Sequence, residues 1–169
     1  VGFTLDSYKQ VFAYKQIWQG YINTIFYTVL GTAFNLVLTI PAAYAVSKKY
    51  LPGRGIVMGF FLITMYFSGG MVPTYLLIKN LGLINTRLVL VIVSGISIYN
   101  LIVTRTYFTT SISESIYEAS RIDGAGEIRT FLSIALPLAK PIIAVMVLYY
   151  AVAHWNDYFN ALLYVSDQN

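Results

Sequence analysis

His154-Trp155-Asn156-Asp157-Tyr158-Phe159-Asn160 sets one imidazole, one carboxylate, two carboxamides and three aromatic rings into consecutive positions of an otherwise apolar stretch. Aromatic faces stack on the C–H faces of a sugar, and amide and carboxylate groups bond its hydroxyls. Ionisable groups in an apolar segment are costly, so His154 and Asp157 point to function if they lie deep. The same residues serve equally well as packing groups at the outer edge of an apolar layer. His154 is the sole histidine and has no metal-ligand spacing around it, cysteine is absent, and Ser, His and Asp are too sparse for a nucleophilic triad. Neither a metal site nor a catalytic constellation is expected, and the chain reads as a non-enzyme. No G-x-x-x-x-G-K-[ST] run occurs, so the chain should not bind ATP itself.

The second chemistry-bearing stretch is polar and lies between two long apolar runs, from Glu118 to Pro137. Ser111 or Ser115, each followed three residues later by a glutamate (Glu114, Glu118), is suited to a capping box at a helix start. Ile116, Ala119 and Ile122 recur at helical spacing, with Glu118 and Arg121 on the other side. Asp123-Gly124 should end that helix, because glycine enters the left-handed region without a side-chain clash. A second helix is expected to carry Ile128, Phe131, Leu132 and Ala135 on one face, and Pro137 and Pro141 mark the turn into the next apolar run. Taken alone, the pattern also fits an amphipathic connector lying on a membrane surface.

The elements that position these segments are apolar. Hydrophobic residues make up 57% of the chain and charged residues 11%, against about a quarter charged in an average soluble domain. An integral membrane protein follows. Uncharged intervals run from Gln16 to Ser47, Gly55 to Ile78, Leu88 to Thr104 and Pro141 to Asn156, the last continuing past Asp157 to Ser166. About 20 apolar residues span a bilayer core, so four spans are expected in an all-α bundle. Lys48, Lys49, Arg54, Arg105, Arg121, Arg129 and Lys140 fall on one side, and Lys9, Lys15, Lys79 and Arg87 on the other. The richer side should be cytoplasmic, which places the Glu118 to Pro137 loop inside the cell. The net charge of +4 reflects this scatter of basic residues at span ends and does not form a nucleic-acid face.

Glu118-Ala119-Ser120, then Asp123-Gly124, then Ile134-Ala135-Leu136-Pro137 resembles the EAA loop of ABC importer permeases. Ser120 stands where that motif has its second alanine, and Ser113 where a proline commonly precedes the glutamate. Along most of its length the chain is similar to maltose-type carbohydrate permeases, binding-protein-dependent inner membrane components. The resemblance implies two short cytoplasmic helices within residues 111–140 that seat in a groove of an ATPase subunit. Their coupling positions would be Glu118, Ala119, Ser120, Asp123, Gly124, Ala125, Ile134, Leu136 and Pro137. It also implies a multi-pass protein of a prokaryotic plasma or inner membrane. Its partners would be an ABC ATPase dimer carrying ATP and Mg, a second permease subunit, expected to be a different chain, and an extracellular solute-binding protein.

Trp155, Asn156, Asp157 and Tyr158 match a run found in sugar-importer permeases and form the candidate substrate path. Such subunits usually have six spans, which leads us to expect a single permease domain over 1–169, truncated at both ends. Asn23-Thr24, Pro41-Ala42-Ala43-Tyr44 and Leu81-Gly82-Leu83 also resemble the sugar group. Importers of peptides, polyamines or phosphate esters share the loop and remain open, as does a secondary transporter, for which His154 and Asp157 are few ion-coupling groups.

The remaining expectations are local. Leu5, Tyr8, Val11 and Phe12 read as an amphipathic surface segment ahead of Trp18 and Tyr21 at the interface. Gly31, Ala33, Ala42 and Ala43 permit close helix approach, and Pro41 frees a carbonyl. Ser68-Gly69-Gly70 and Pro73 interrupt the second span, as a binding site or a plain kink. Asn100 is the main polar residue of the third span, and the fourth should run from about Ala139 to Tyr164.

Overall fold

In a computed structural model that describes residues 12–165, the chain is helical, with no strand among the described residues. The surface segment expected at Leu5 to Val11 lies outside that range. Helix α1, Lys15–Ser47, takes up the first uncharged interval as 33 unbroken residues, about 50 Å of helix. It carries a stripe of small and polar residues at four-residue spacing, Gly31, Asn35, Thr39 and Ala43, all buried. The helix runs on through Pro41.

The second interval is broken where Ser68-Gly69-Gly70 was expected to break it. Helix α2, Arg54–Tyr66, and α3, Met71–Asn80, meet at 112°. α2 has no buried residue, and its Ile56, Phe60 and Ile63 are exposed. In hydrocarbon or against a partner such a face carries no aqueous penalty.

The third interval departs from the expected continuous span. It holds a single turn, α4 (Val89–Ile92), then an irregular passage through residues 93–97, then α5 (Ile98–Thr110). The break is possible because another helix answers its carbonyls. Asn35 of α1 donates from Nδ2 to Gly95 O at 2.8 Å and to Ser94 O. Backbone groups freed at that depth persist only where protein or water supplies partners. Ser97 caps α5, its hydroxyl accepting from Asn100 N.

The polar stretch forms α6, Glu114–Ile122, and α7, Glu127–Thr130, which passes through a π-helical turn, Phe131–Ala135, into α8, Leu136–Leu138. The chain then bends by 78° into α9, Lys140–Trp155, as the two prolines led us to expect. α9 stops at Asn156, and α10, Tyr158–Tyr164, resumes after Asp157. The expected single helix over the fourth interval is therefore two. Asn156 bends its amide back to Val152 O at 2.8 Å at the end of α9, and the Asp157 carboxylate takes up Asn160 Nδ2 at 3.0 Å at the start of α10.

α1 packs mainly on α9 and α5. Their main core contains Ala43, Leu101, Phe108 and Met146, and a smaller one joins Ile78, Val89, Leu90 and Tyr164. By length and apolarity α1 alone is a complete span; α2 with α3, and Glu127–Leu138 with α9, qualify if each bent pair is one span.

Candidate functional site

The α6–α7 loop is built as the sequence suggests at its turn and differently at its start. Gly124 has φ +74°; its N–H bonds Arg121 O at 3.0 Å, while Ala125 N–H bonds Ser120 O at 3.0 Å. These paired bonds are a Schellman closure, which requires the left-handed residue at Gly124. No capping box forms at either Ser111 or Ser115. Ser113 is the N-cap, and its hydroxyl pairs with Ser115 Oγ at 2.8 Å instead of a backbone N–H.

The face that α6 turns inward is not its most apolar one. Tyr117 and Ser120 are buried, whereas Ile116, Ala119 and Ile122 are exposed, Ile122 to 87%. On the second helix the expected common face divides, with Ala135 buried and Phe131 half-buried, and Ile128 and Leu132 exposed. The π-helical turn accounts for this, because one extra residue per turn rotates the face that follows it. Ser120 Oγ and Thr130 Oγ1 lie 2.6 Å apart in a buried contact that ties the two helices together. The serine in place of alanine thus has a partner. Glu118, Asp123 and Pro137 are exposed, and Ala125, Ile134 and Leu136 are half-buried.

Beside this loop, the end of α1 meets α6. Tyr44 packs edge-on against Phe108 and Tyr117 and is tilted over Phe131. Lys48, read from sequence only as an orienting charge, is buried between the Tyr44 and Tyr117 rings. Its burial lowers the amine to about 8, and burial raises Tyr117 to about 12.

The interior site centres on Asn35. With both amide hydrogens given to Ser94 and Gly95 carbonyls, its Oδ1 is left to accept, so His154 Nε2, at 2.6 Å, carries the proton and donates. Gly31 makes room for the imidazole, since a Cβ there would lie 2.4 Å from ring atoms. One turn along, Thr39 Oγ1 and Tyr150 Oη lie 2.7 Å apart, and Ser97 N–H donates to Tyr150 Oη at 3.3 Å. Sequence reasoning picked out Gly31 as a place of close helix approach but missed Asn35. The available signal was the four-residue recurrence of small and polar types within an uncharged run.

Two grooves flank this network. One, of about 790 Å³, is lined by Ser94, Ser97, Asn100, Tyr149 and Tyr150 among others; a second, of about 450 Å³, includes Asn23, Tyr27, Trp155 and Tyr158. His154 and Asp157 border both. The structure thus brings Trp155, Asp157 and Tyr158 to groove walls, while the Asn156 amide is spent on the helix end. Asn100 joins the first groove. Ser68-Gly69-Gly70 borders neither groove. Among the described residues no group of three His, Cys, Asp or Glu side chains could hold a metal.

A long apolar helix packed on broken ones, with a two-helix polar loop at one end, has clear counterparts. The chain matches the binding-protein-dependent transport system inner membrane component over residues 16–168. It belongs to that family. Protein LplC of Bacillus subtilis (strain 168) is 44% identical over 98% of this chain and 56% of its own length. The polygalacturonan/rhamnogalacturonan transport system permease protein YtcP of the same organism is 39% identical over 98% of this chain and 57% of its own. A crystal structure of a bacterial ABC transporter involved in the import of the acidic polysaccharide alginate superposes with a TM-score of 0.93 at 38% identity, over 98% of this chain and 59% of that one. The chain therefore spans somewhat more than half the length of these relatives. Membership makes it a membrane transport component, with homologues among sugar ABC permeases.

Proposed function

We propose that this chain is the core of a permease subunit of an ATP-driven importer for sugars or oligosaccharides. The observation that carries the reading is the α6–α7 loop. A rigid two-helix unit, closed by the Gly124 turn and by Ser120–Thr130, turns an apolar ridge of Ile116, Ala119 and Ile122 away from its own core. An outward apolar ridge on a small polar helix suits a groove on a partner.

On this reading the loop seats on an ABC ATPase dimer that supplies ATP and Mg, on the cytoplasmic side of the membrane. Glu118, Asp123, Gly124 and Ala125 shape the contact, and Ile134, Leu136 and Pro137 lead it back to α9. The four apolar intervals cross the membrane, three of them broken, alongside a second permease subunit, and an extracellular binding protein delivers solute. Closure of the ATPases moves the spans and alternates access to the Asp157 grooves. Their walls suit a sugar, with hydroxyl, amide and aromatic groups; among the described residues no Lys or Arg lines either one, as a phosphate ester would call for.

The test is ATPase activity of the full-length complex in lipid against a panel of sugars loaded on its binding protein. Stimulation by one sugar that disappears on Gly124→Trp is the expected result. Stimulation unchanged by that substitution removes the loop from its role, and solute binding by a membrane protein that associates with no ATPase turns the assignment toward a secondary transporter.

A further inference from the structure

Three consecutive residues after α1 are each held by α6. Lys48 Nζ lies 2.8 Å from the centroid of the Tyr117 ring and 4.3 Å from that of Tyr44. Lys49 Nζ is 3.4 Å from Glu114 Oε2. The Arg121 guanidinium sits 3.9 Å over the Tyr50 ring. Glu114, Tyr117 and Arg121 follow at three- and four-residue spacing, so they form one stripe of α6. The exposed ridge of Ile116, Ala119 and Ile122 is a different stripe. One short helix thus offers one face to a partner and grips the end of α1 with another.

The three contacts differ in kind. Lys49 and Glu114 are open to solvent, their side chains 70% and 44% exposed, and such pairs contribute little. Arg121 also lies open and is shared with Glu127 at 3.7 Å. Lys48 is 6% exposed, and its Nζ has no hydrogen-bond partner. An ammonium so placed is attracted by the two ring faces, and Glu127 and Glu114 favour its charged form. Ring faces attract a cation without fixing its direction, so the contact can turn while it holds. From Lys48 the path inward is a single rigid helix to Asn35, which closes the break at residues 94–95 and holds His154 at the wall of both grooves.

We propose that Lys48 is a positioning residue that passes movement of α6 into α1, and through Asn35 to the groove walls, by its cation–π contact with Tyr117. The proposal rests on the permease reading above. α6 is joined covalently to α5, and the Lys48 contact, beside the Tyr44–Tyr117 ring contact, joins it to α1, the longest of the described helices. The groups facing Lys48 are Tyr44, Lys49 and Tyr50 from its own segment, Glu114, Tyr117 and Arg121 from α6, and Glu127 from α7. Burial is the largest influence and lowers Lys48 from 10.5 to about 8; Glu127 and Glu114 oppose that, and Arg121 adds to it. The folded value lies below the unfolded one, so the charge is present below about pH 8 and lost above it. Deprotonation removes the burial cost and the grip together, and transmission falls as pH rises through about 8.

Cysteine is absent from these residues, so Val152→Cys, at an exposed groove position, supplies a reporter in the full-length complex, with any other cysteine of the chain replaced. An impermeant methanethiosulfonate reagent labels it with and without Mg·ATP–vanadate, the ratio of the two rates is taken at each pH, and the Lys48→Arg complex with the same cysteine controls for titration of the thiol. ATP hydrolysis and subunit assembly are followed in parallel. With native Lys48 the ratio should change roughly fivefold or more at pH 7 and return to one above pH 8. Lys48→Arg should keep the change at pH 9, and Lys48→Met should abolish it at every pH while the complex stays assembled. A Lys48→Met complex with the native ratio and pH profile overturns the proposal. So does a Lys48→Arg profile that falls as the native one does, which decides the matter even if Lys48→Met fails to assemble. If the Val152→Cys parent shows no nucleotide-dependent change, the permease reading itself falls, an outcome distinct from either.

Discussion

The interior and the loop end of this chain both bury polar groups against α1, and they stabilise them in opposite ways. Around Asn35 every contact is directional, with two amide hydrogens on carbonyls of the broken third interval and the amide oxygen taking His154 Nε2. At the loop end, Lys48 Nζ and the hydroxyls of Tyr44 and Tyr117 are buried with no hydrogen-bond partner, and the contact is between charge and ring face. Directional bonds fix one geometry, whereas ring contacts tolerate rotation. A helix anchored tightly in its middle and loosely at its end can be moved from that end and carry the movement inward as one body.

Substitutions that break this contrast differ in size. Gly124→Trp is expected to have the largest effect, a loss of solute-stimulated ATP hydrolysis of roughly tenfold or more with the complex still in the membrane. Its Cβ meets nothing within 4 Å, so the damage comes from the left-handed backbone and from bulk on the docking side. Asn35→Leu should destabilise by about 1–3 kcal/mol, because it strands two carbonyls and His154 together; thermal unfolding in nanodiscs reads it. Gly31→Ala follows, at about 1–2 kcal/mol, since the new methyl must displace the imidazole. His154→Ala in the same chain should recover part of that loss, and strict additivity of the two would show that no clash exists.

Ser120→Ala removes the hydroxyl from a buried pair and should cost about 1 kcal/mol. It should also loosen α6 from α7, seen as faster amide exchange across the turn. Lys49→Gln is the smallest, within about 0.5 kcal/mol by the same unfolding measurement. A loss from Lys49→Gln as large as that from Ser120→Ala would mean that the open ion pair, and not the ring contact, holds the end of α1.

Much of the fold was legible because its causes are local. An uncharged run of the length of 16–47 has few alternatives to one long helix in hydrocarbon, and the break at Ser68-Gly69-Gly70 and the turn at Gly124 follow from glycine alone. The third interval also holds a Ser-Gly pair, Ser94-Gly95, but nothing beside it shows the partner that makes a break tolerable at that depth. That partner is Asn35, about sixty positions earlier, whose amide donates to the Ser94 and Gly95 carbonyls. The inward face of α6 was not legible for a related reason. Ile116, Ala119 and Ile122 are the more apolar stripe, yet Tyr117 and Ser120 turn inward because Tyr44, Lys48 and Thr130 wait for them.

The residues by themselves determined an all-α membrane chain, a polar two-helix loop with its turn at Gly124, and a pairing of Asp157 with aromatic neighbours. Each depends on backbone preference and hydropathy over a few turns, which read directly from adjacent positions. The tertiary structure alone decided that His154 fits over Gly31 and bonds Asn35, that Asp157 borders two grooves, and that Lys48 lies between two rings of different helices. Those outcomes depend on which surfaces of distant helices meet, and side-chain partners more than fifty positions apart leave no periodicity along the chain.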